Sequence, residues 1–299
     1  MTVTVRVTDS PAPGGLAELA GRPVGRIGFG AMQLEHRPVG RDAALALLRH
    51  AVAAGVNHID TAQFYGDCND LIHDALAPYP GDLVLVSKVG ADRESDGTLV
   101  PAQRPGQLRA QVEANLASLR VEQLGVVNLR RLDVRPGLIA AGAQRVDLDS
   151  QLAELIALRD AGKIGGIGLS SVSAAQLGQA LPVGIACVQN AYSLLDRSAE
   201  PVLDLCREHG IAWVPYFPLG SAGFPGMPKV TDHPAVIALA GDLGVTSAQV
   251  ALAWLLASYD RTLLIAGTSR LAHLDENIAA GRLRLPPAAV TELNQLVTT

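Results

Sequence analysis

Short β-like runs alternate with stretches of helical character along nearly the whole chain, and this alternation limits the fold more than any other feature. A chain that repeats strand and helix forms parallel strands joined by right-handed crossovers. The predicted strands are 26–32, 58–62, 83–88, 125–129, 164–170, 186–191, 211–216 and 262–266. The predicted helices are 41–54, 69–76, 107–119, 150–161, 174–181, 199–209 and 247–256.

Eight such repeats over about 270 residues match a (β/α)8 TIM barrel, an α/β fold, in number and length. A doubly wound sheet also alternates strand and helix and is the alternative. No linker or low-complexity segment divides the chain, so we expect one domain over 1–299. Val3, Val5 and Val7 alternate before a break at 11–15, which predicts an N-terminal β-hairpin over 1–22, outside the barrel.

Charge and apolar content argue against several partners. The net charge is −5 with no basic cluster, so nucleic acid is not expected as a partner. No run of eighteen apolar residues and no signal-peptide order appear, so we expect no membrane partner and a cytoplasmic location. Cys68, Cys187 and Cys206 lack metal-ligand spacing, which favours a reducing compartment and simple burial of the thiols.

Three ionisable residues stand where predicted strands end. Asp60 and Tyr65 follow one strand, and Lys88 closes the next, so the three should converge at the C-terminal rim of the sheet. A cation beside a tyrosine favours the phenolate, which makes the phenol a usable proton donor. Two alternatives remain for Lys88: a plain buried ion pair with Asp60, or a Schiff base. His58 and Asp60 share a strand face, but without further ligands nearby we predict no metal site.

The familiar dinucleotide-binding loop is not supported. Gly28-Phe-Gly30 and Gly166-Ile-Gly168 each lack the third glycine, since Gln33 and Ser171 stand in its place. No tyrosine is followed four residues later by a lysine, which argues against a short-chain dehydrogenase.

Seven motifs occur in order at predicted strand ends or helix starts. They are Gly28-Phe-Gly-Ala-Met32, Asp60-Thr-Ala-x-x-Tyr-Gly66, Lys88, Gly168-Leu-Ser-Ser171, Val188-Gln-Asn-x-Tyr192, Pro215-Tyr-Phe-Pro-Leu-Gly220 and Gly267-Thr-Ser-Arg-x-x-His-Leu-x-Glu-Asn277. Taken together they resemble the aldo-keto reductase family over nearly the whole chain. The resemblance implies a barrel that binds NADPH in an extended form and reduces an aldehyde or ketone, a small-molecule carbonyl substrate, to an alcohol.

The resemblance also assigns residues to NADPH. Ser170 and Gln189 match the positions that hold the nicotinamide carboxamide, and Tyr216 matches the aromatic ring that stacks on the nicotinamide. Further positions match the pyrophosphate and adenosine ends and the remaining cofactor contacts: Met32, Asp60, Phe217, Leu219, Gly220, Gly267, Ser269, Arg270, His273, Glu276 and Asn277. The alternatives are a core amide for Gln189, barrel filling for Tyr216, and a solvated surface for Arg270 and His273.

In the family's mechanism, Tyr65 would donate the proton, Lys88 would assist it, and Asp60 would hold Lys88 charged and oriented. The fourth catalytic position is usually a His, whereas Arg130 stands here. Arginine is always charged and cannot shuttle protons, so we expect it to bind the carbonyl oxygen or an anionic group. The alternative is an Arg130 that points elsewhere and pairs with Asp133 or Glu122.

The substrate prediction depends on motifs. The Asn-Leu-Arg strand end at 128–130, with Phe64-Tyr-Gly and Pro78-Tyr-Pro, is similar to bacterial pyridoxal reductases, so a pyridoxal-like small polar aldehyde is the leading substrate. The loop around 91–107, which we expect to be long, and the loop around 131–148 would hold this substrate. An alternative function is an NADP(H)-binding regulatory or scaffold protein with little turnover. Retention of Asp60, Tyr65 and Lys88 favours the enzyme, and a lyase or isomerase using the same rim is a third option.

Overall fold

A curled parallel sheet forms the centre of the molecule. The computed structural model of the protein describes residues 12–35, 40–133, 137–220 and 227–296. The strands are β1 (Leu16–Leu19), β2 (Arg22–Gly25), β3 (Phe29–Gly30), β4 (His58–Asp60), β5 (Val84–Val89), β6 (Ala91–Arg93), β7 (Leu99–Pro101), β8 (Leu124–Arg130), β9 (Ile164–Ser170), β10 (Ile185–Gln189) and β11 (Ala212–Trp213). Within the described ranges, β3, β4, β5, β8, β9, β10 and β11 follow one another across this sheet.

The segment around residues 262–264 joins the two edges of the sheet. Thr262 forms a parallel bridge to Trp213, and Leu264 forms one to Ile27. The Leu263 N–H donates to the Trp213 carbonyl, and the Gly28 N–H donates to the Leu264 carbonyl, each over 2.8 Å. The eighth predicted strand is therefore present as single bridges, and the sheet closes. This closure confirms the (β/α)8 barrel and rules out the doubly wound alternative.

Helices pack around the sheet between its strands. They are α1 (Gly40–Ala53), α2 (Cys68–Leu76), α3 (Pro105–Leu119), α4 (Leu148–Asp160), α5 (Ala174–Ala180), α6 (Glu200–His209), α7 (Pro234–Leu243), α8 (Ser247–Ser258), α9 (Leu271–Ala280) and α10 (Pro287–Asn294). Each of the predicted helices begins and ends within two residues of its expected bounds. Thr246 caps α8 by accepting from the Gln249 N–H, and Gly210 ends α6 at φ 64°.

Two apolar layers stabilise this arrangement. One lies between the sheet and the helices, and the other fills the barrel interior. Cys68, Cys187 and Cys206 are buried, as predicted, and none of the three forms a disulfide with another described residue. No single helix among the described residues has the length and apolar character to span a membrane; α7 and α8 meet those criteria only when taken together across a 94° bend.

Two short antiparallel hairpins are added to the barrel. The β1–β2 hairpin contributes buried Leu19 and Val24 to the interior cluster. It lies at residues 16–25, so the predicted bounds of 1–22 are too early, and Val3, Val5 and Val7 lie outside the described residues. The β6–β7 hairpin occupies part of 91–107, where we expected a long loop, so that prediction was wrong. Its strands have three residues each, too few for an alternating pattern to be recognised.

The glycines at 28 and 30 have a packing role in this barrel. A Cβ on Gly28 would lie 2.1 Å from the buried His58 ring, and one on Gly30 would lie 2.4 Å from the Ile265 carbonyl oxygen. Burial lowers the pKa of His58 to about 4, so the ring is neutral at pH 7. The motif that resembles half a dinucleotide loop is thus explained by the close approach of barrel strands.

We expect Gly28→Ala to lower the free energy of unfolding by about 1–3 kcal/mol, because the added methyl must displace a ring fixed in the core. The matched control is Gly178→Ala, on the exposed face of α5 with no atom within 4 Å of the new Cβ. That change should raise stability by up to about 1 kcal/mol. Urea denaturation measures both, and a Gly28 variant as stable as the parent would show that the His58 ring moves aside without cost.

Candidate active site

A cavity of about 580 Å³ opens at the C-terminal rim of the barrel. Most of the residues predicted for catalysis and cofactor binding line it: Met32, Asp60, Tyr65, Lys88, Arg130, Ser170, Tyr216, Phe217, Leu219, Gly220, Gly267, His273, Glu276 and Asn277. In the described part of the chain, Gln189, Ser269 and Arg270 are predicted site residues that do not line it.

Asp60, Tyr65 and Lys88 converge, as the strand order predicts. Strands β4 and β5 are hydrogen-bonded neighbours, so their ends lie side by side. The Lys88 ammonium donates to Asp60 Oδ1 and, over 3.1 Å, to the Thr61 carbonyl, and it lies 4.9 Å from the centre of the Tyr65 ring. Asp60 and Lys88 are only 3% and 6% exposed, so water screens their attraction little.

Lys88 carries its positive charge in this environment. Burial by itself would lower the pKa of Lys88, but the Asp60 carboxylate and the Tyr65 hydroxyl outweigh burial and raise that pKa above its ordinary value. A lysine that forms a Schiff base needs the neutral amine. The structure therefore disfavours the Schiff-base alternative for Lys88.

Gln189 lies behind Asp60 rather than on the cavity wall. Its Nε2 donates to Asp60 Oδ2 over 2.7 Å, while its buried Oε1 has no hydrogen-bond partner among the described residues. Buried acceptors are nearly always satisfied. The Oε1 can therefore accept one further hydrogen bond, but because Gln189 does not line the cavity, its contact with a nicotinamide carboxamide stays a prediction.

A buried polar network supports the strand ends from below. Thr61 Oγ1 donates to Asn69 Oδ1 over 2.8 Å, and Ser87 Oγ donates to Asn115 Oδ1 over 2.6 Å. Asn69 Nδ2 joins the two halves by donating to Asn115 Oδ1 over 3.0 Å. Through these bonds α2 and α3 fix the backbone beside Asp60 and Lys88. The sequence analysis missed this network, because isolated polar residues in helices carry no pattern.

Arg130 ends β8 beside the cavity. Its Cζ lies 5.9 Å from the centre of the Phe64 ring, and Phe64 in turn packs edge-to-face on Tyr65 with ring centres 5.0 Å apart. Among the described residues the Arg130 guanidinium pairs with no carboxylate. Asp133 pairs instead with Arg131, over 2.5 Å, so the predicted alternative that Arg130 pairs with Asp133 or Glu122 is wrong.

Arg93, on strand β6, fastens the β6–β7 hairpin to the site. It donates to Glu35 Oε1 over 2.6 Å, to the Phe64 carbonyl over 2.8 Å, and to the Gly97 carbonyl over 2.6 Å. Both Arg93 and Glu35 line the cavity. The sequence analysis missed them, together with Phe64, because the hairpin that carries Arg93 was not recognised.

Another part of the cavity lining includes Tyr216, Gly220 and Gly267. The Tyr216 hydroxyl lies 3.0 Å from Ser171 Oγ, and burial raises the pKa of Tyr216. Gly220 has φ 77°, and a Cβ there would lie 2.0 Å from the Pro228 carbonyl oxygen. A Cβ on Gly267 would lie 2.4 Å from the Gly30 carbonyl oxygen. Glycine at both positions therefore lets backbone segments pack closely in the cavity wall.

Helix α9 begins beside the cavity. Arg270 is its N-cap and is exposed, while His273 and Glu276, in the first turns, line the cavity. Backbone N–H groups at a helix start favour anions. Thr268, which the sequence analysis missed, accepts from the Arg270 N–H over 3.0 Å. Among the described residues no group of three or more His, Cys, Asp or Glu side chains is placed to hold a metal ion.

Comparisons with known proteins agree with this geometry. Residues 26–298 match the model of the aldo/keto reductase family. Pyridoxine 4-dehydrogenase from Escherichia coli (strain K12) is 40% identical over 284 residues, covering 92% of this chain and 96% of the relative. A solved thermostable aldo-keto reductase with the inhibitor epalrestat is 25% identical, with TM-score 0.78, covering 94% and 99% of the two chains. An aldo/keto reductase from Klebsiella pneumoniae with NADP and acetate is 24% identical, with TM-score 0.75, covering 92% of each chain, and shares the fold.

Proposed function

Because the chain belongs to the aldo/keto reductase family, we propose that it reduces a small aldehyde to an alcohol with NADPH, and that Tyr65 supplies the proton. The observation that carries the proposal is the buried Asp60–Lys88 pair, whose ammonium lies 4.9 Å from the Tyr65 ring inside a cavity. A protein that only bound the nucleotide would have no need for a charged lysine beside a phenol, so this contact favours the enzyme over the regulatory or scaffold alternative.

The residues around the cavity suit the parts of NADPH. Tyr216 would stack on the nicotinamide, and Ser170 and the unsatisfied Oε1 of Gln189 would hold its carboxamide. The part of the cavity lined by Gly220 and Gly267 would take the pyrophosphate and adenosine side, with contacts from Met32, Phe217, Leu219, His273, Glu276 and Asn277. Ser269 and Arg270, beside the start of α9 and outside the lining, would contribute further contacts. When bound, NADPH supplies the hydride that reaches the carbonyl carbon.

The chain's own residues donate the proton and stabilise the charge that remains after its transfer. Tyr65 donates its hydroxyl proton to the carbonyl oxygen, whose negative charge grows as the carbon is reduced. The Lys88 ammonium stabilises the phenolate that remains. Asp60 keeps Lys88 charged and oriented, and is itself held by Gln189 over 2.7 Å. Arg130 lines the same cavity and binds oxygen atoms of the substrate.

A pyridoxal-type aldehyde is the substrate class that we propose. The relative named pyridoxine 4-dehydrogenase matches nearly the whole chain at 40% identity. The cavity of about 580 Å³ must hold the nicotinamide as well as the substrate, which favours a small substrate. Arg93, paired with Glu35, and Arg130 place two charged side chains on its wall, which suits a small polar aldehyde better than a steroid.

The test is NADPH oxidation by the purified protein, followed by absorbance, with pyridoxal, small aliphatic aldehydes and a steroid ketone as substrates. We expect saturable turnover that is fastest with pyridoxal and slow or undetectable with the ketone, and NADH serves as the cofactor control. Quenching of protein fluorescence by NADPH, without turnover of any aldehyde, would contradict the proposal and support the binding-protein alternative. Turnover of the ketone alone would overturn the substrate class.

A further inference from the structure

We propose that Arg130 makes this site selective for aromatic aldehydes that carry an ionised hydroxyl group on the ring carbon next to the aldehyde. The inference rests on the proposed function and deepens it, since it names the chemical feature that the pocket recognises. Pyridoxal has a hydroxyl at this position, and so does 2-hydroxybenzaldehyde, a simpler probe that the guanidinium would bind as the phenolate.

The charge balance of the cavity wall is the first observation. Of the lining cations, Arg93 is paired with Glu35 over 2.6 Å and Lys88 with Asp60, while the third lining carboxylate, Glu276, lies on α9 and has no ion-pair partner among the described residues. Within the described ranges Arg130 has no such carboxylate, although it lines the same cavity. A guanidinium that is partly withdrawn from water without an anion is unfavourable. The substrate is therefore expected to bring the negative charge.

The backbone beneath Arg130 is held firmly, which is the second observation. The buried amide of Gln103, 2% exposed, donates to the Arg130 carbonyl over 2.8 Å and to the Gly90 carbonyl over 2.6 Å. Gln151 in turn donates to Gln103 Oε1 over 2.9 Å. A Cβ on Gly90 would lie 2.4 Å from the Arg130 carbonyl oxygen, so the strand ends are also in close contact. This support fixes the backbone from which the Arg130 side chain extends into the cavity wall.

The position of Arg130 relative to Tyr65 sets where the anion must lie. The buried Phe64 ring touches both: Arg130 Cζ is 5.9 Å from its centre, and the Tyr65 ring centre is 5.0 Å away. Because both side chains contact one ring and line one cavity, a substrate whose carbonyl oxygen meets Tyr65 would reach Arg130 with a neighbouring group.

The hydrogen-bonding geometry of a guanidinium decides which group next to the carbonyl Arg130 can bind. Its planar fork donates two parallel N–H bonds to a pair of oxygens held side by side, as in a carboxylate. The carbonyl oxygen and a neighbouring phenolate oxygen form a similar pair in one plane. Arg130 can bind the phenolate with one donor and the carbonyl with the other. Tyr65 then remains free to protonate the carbonyl oxygen.

The experiment compares kcat/KM for 2-hydroxybenzaldehyde, 4-hydroxybenzaldehyde, 2-methoxybenzaldehyde and benzaldehyde in the parent and in Arg130→Met. A charge-assisted hydrogen bond predicts that the parent prefers the 2-hydroxy compound over the 4-hydroxy compound by about 10- to 100-fold. The 2-methoxy compound cannot ionise and should lose that preference. In Arg130→Met the preference should fall to about the ratio of the uncatalysed reactivities, and Arg130→Lys should keep part of it.

Controls separate this inference from folding and from the proposed function. Arg104→Met changes an exposed arginine outside the cavity lining and should leave the ratio unchanged. Thermal unfolding of each variant checks that it folds, and the ratio of two substrates cancels a uniform loss of active protein. Turnover of benzaldehyde with an unchanged ratio in Arg130→Met would overturn this inference alone. With 4-carboxybenzaldehyde added to the panel, selective loss of its turnover in Arg130→Met would overturn the inference in favour of a distant anion. A parent that turns over no aldehyde would overturn the proposed function and this inference with it.

Discussion

Replacing Tyr65 by Phe is expected to lower kcat for aldehyde reduction by about a hundredfold or more, the usual contribution of a positioned general acid. The substitution removes only the hydroxyl. The ring keeps its edge-to-face contact with Phe64, at 5.0 Å between centres, and its place beside Lys88. The Asp60–Lys88 pair stays intact, so the fold and the affinity for NADPH should change little. Steady-state kinetics at saturating NADPH, with the dissociation constant of NADPH measured by fluorescence, separates these effects.

The matched control for that variant is Tyr259→Phe. Tyr259 also loses one hydrogen bond, from its hydroxyl to the Cys206 carbonyl over 3.1 Å, but it does not line the cavity. Its kcat should remain close to that of the parent. A Tyr65→Phe variant with unchanged kcat would place the proton donor elsewhere. Arg130 cannot be that donor, because arginine does not give up its proton in proteins, so the proposed mechanism would have to be abandoned.

The convergence of Asp60 and Lys88 at one rim was predictable because it follows from strand order alone. Asp60 and Lys88 end neighbouring parallel strands, and any closed parallel sheet brings such ends to one rim. The barrel itself was equally predictable from alternation and length. The eighth strand shows the limit of that reasoning, because 262–264 closes the sheet with only single bridges to Trp213 and Ile27.

Contacts between distant loops could not be predicted. Arg93 meets Glu35, 58 residues earlier in the chain, only because the β6–β7 hairpin turns back over the rim. The polar network at Asn69 and Asn115 depends on how α2 and α3 face each other. Helices α7 and α10 were not predicted either; α7 is largely apolar, so its residues carry little helical periodicity. Such features depend on side-chain reach across the folded molecule rather than on local pattern.

Replacing Lys88 by Met is expected to damage both activity and stability, for different reasons. Activity falls by about a hundredfold or more, because no cation then stabilises the Tyr65 phenolate. Stability falls by about 3–5 kcal/mol, the usual cost of removing one partner of a buried ion pair. The Asp60 carboxylate, 3% exposed, would keep the Gln189 amide as a partner but lose its neutralising charge. Urea denaturation and steady-state kinetics measure the two losses independently.

A double variant separates the loss of activity from the loss of stability. In Asp60→Asn/Lys88→Met no buried charge remains at this pair, and the Asn oxygen can still accept from Gln189 Nε2. The double variant should therefore recover most of the stability lost in Lys88→Met, since neutral pairs in the core avoid the cost of an uncompensated charge. It should recover none of the activity, because the cation beside Tyr65 is still missing. Recovered activity would show that Lys88 serves only to neutralise Asp60. A double variant no more stable than the single one would show that water or another donor already compensates the buried carboxylate.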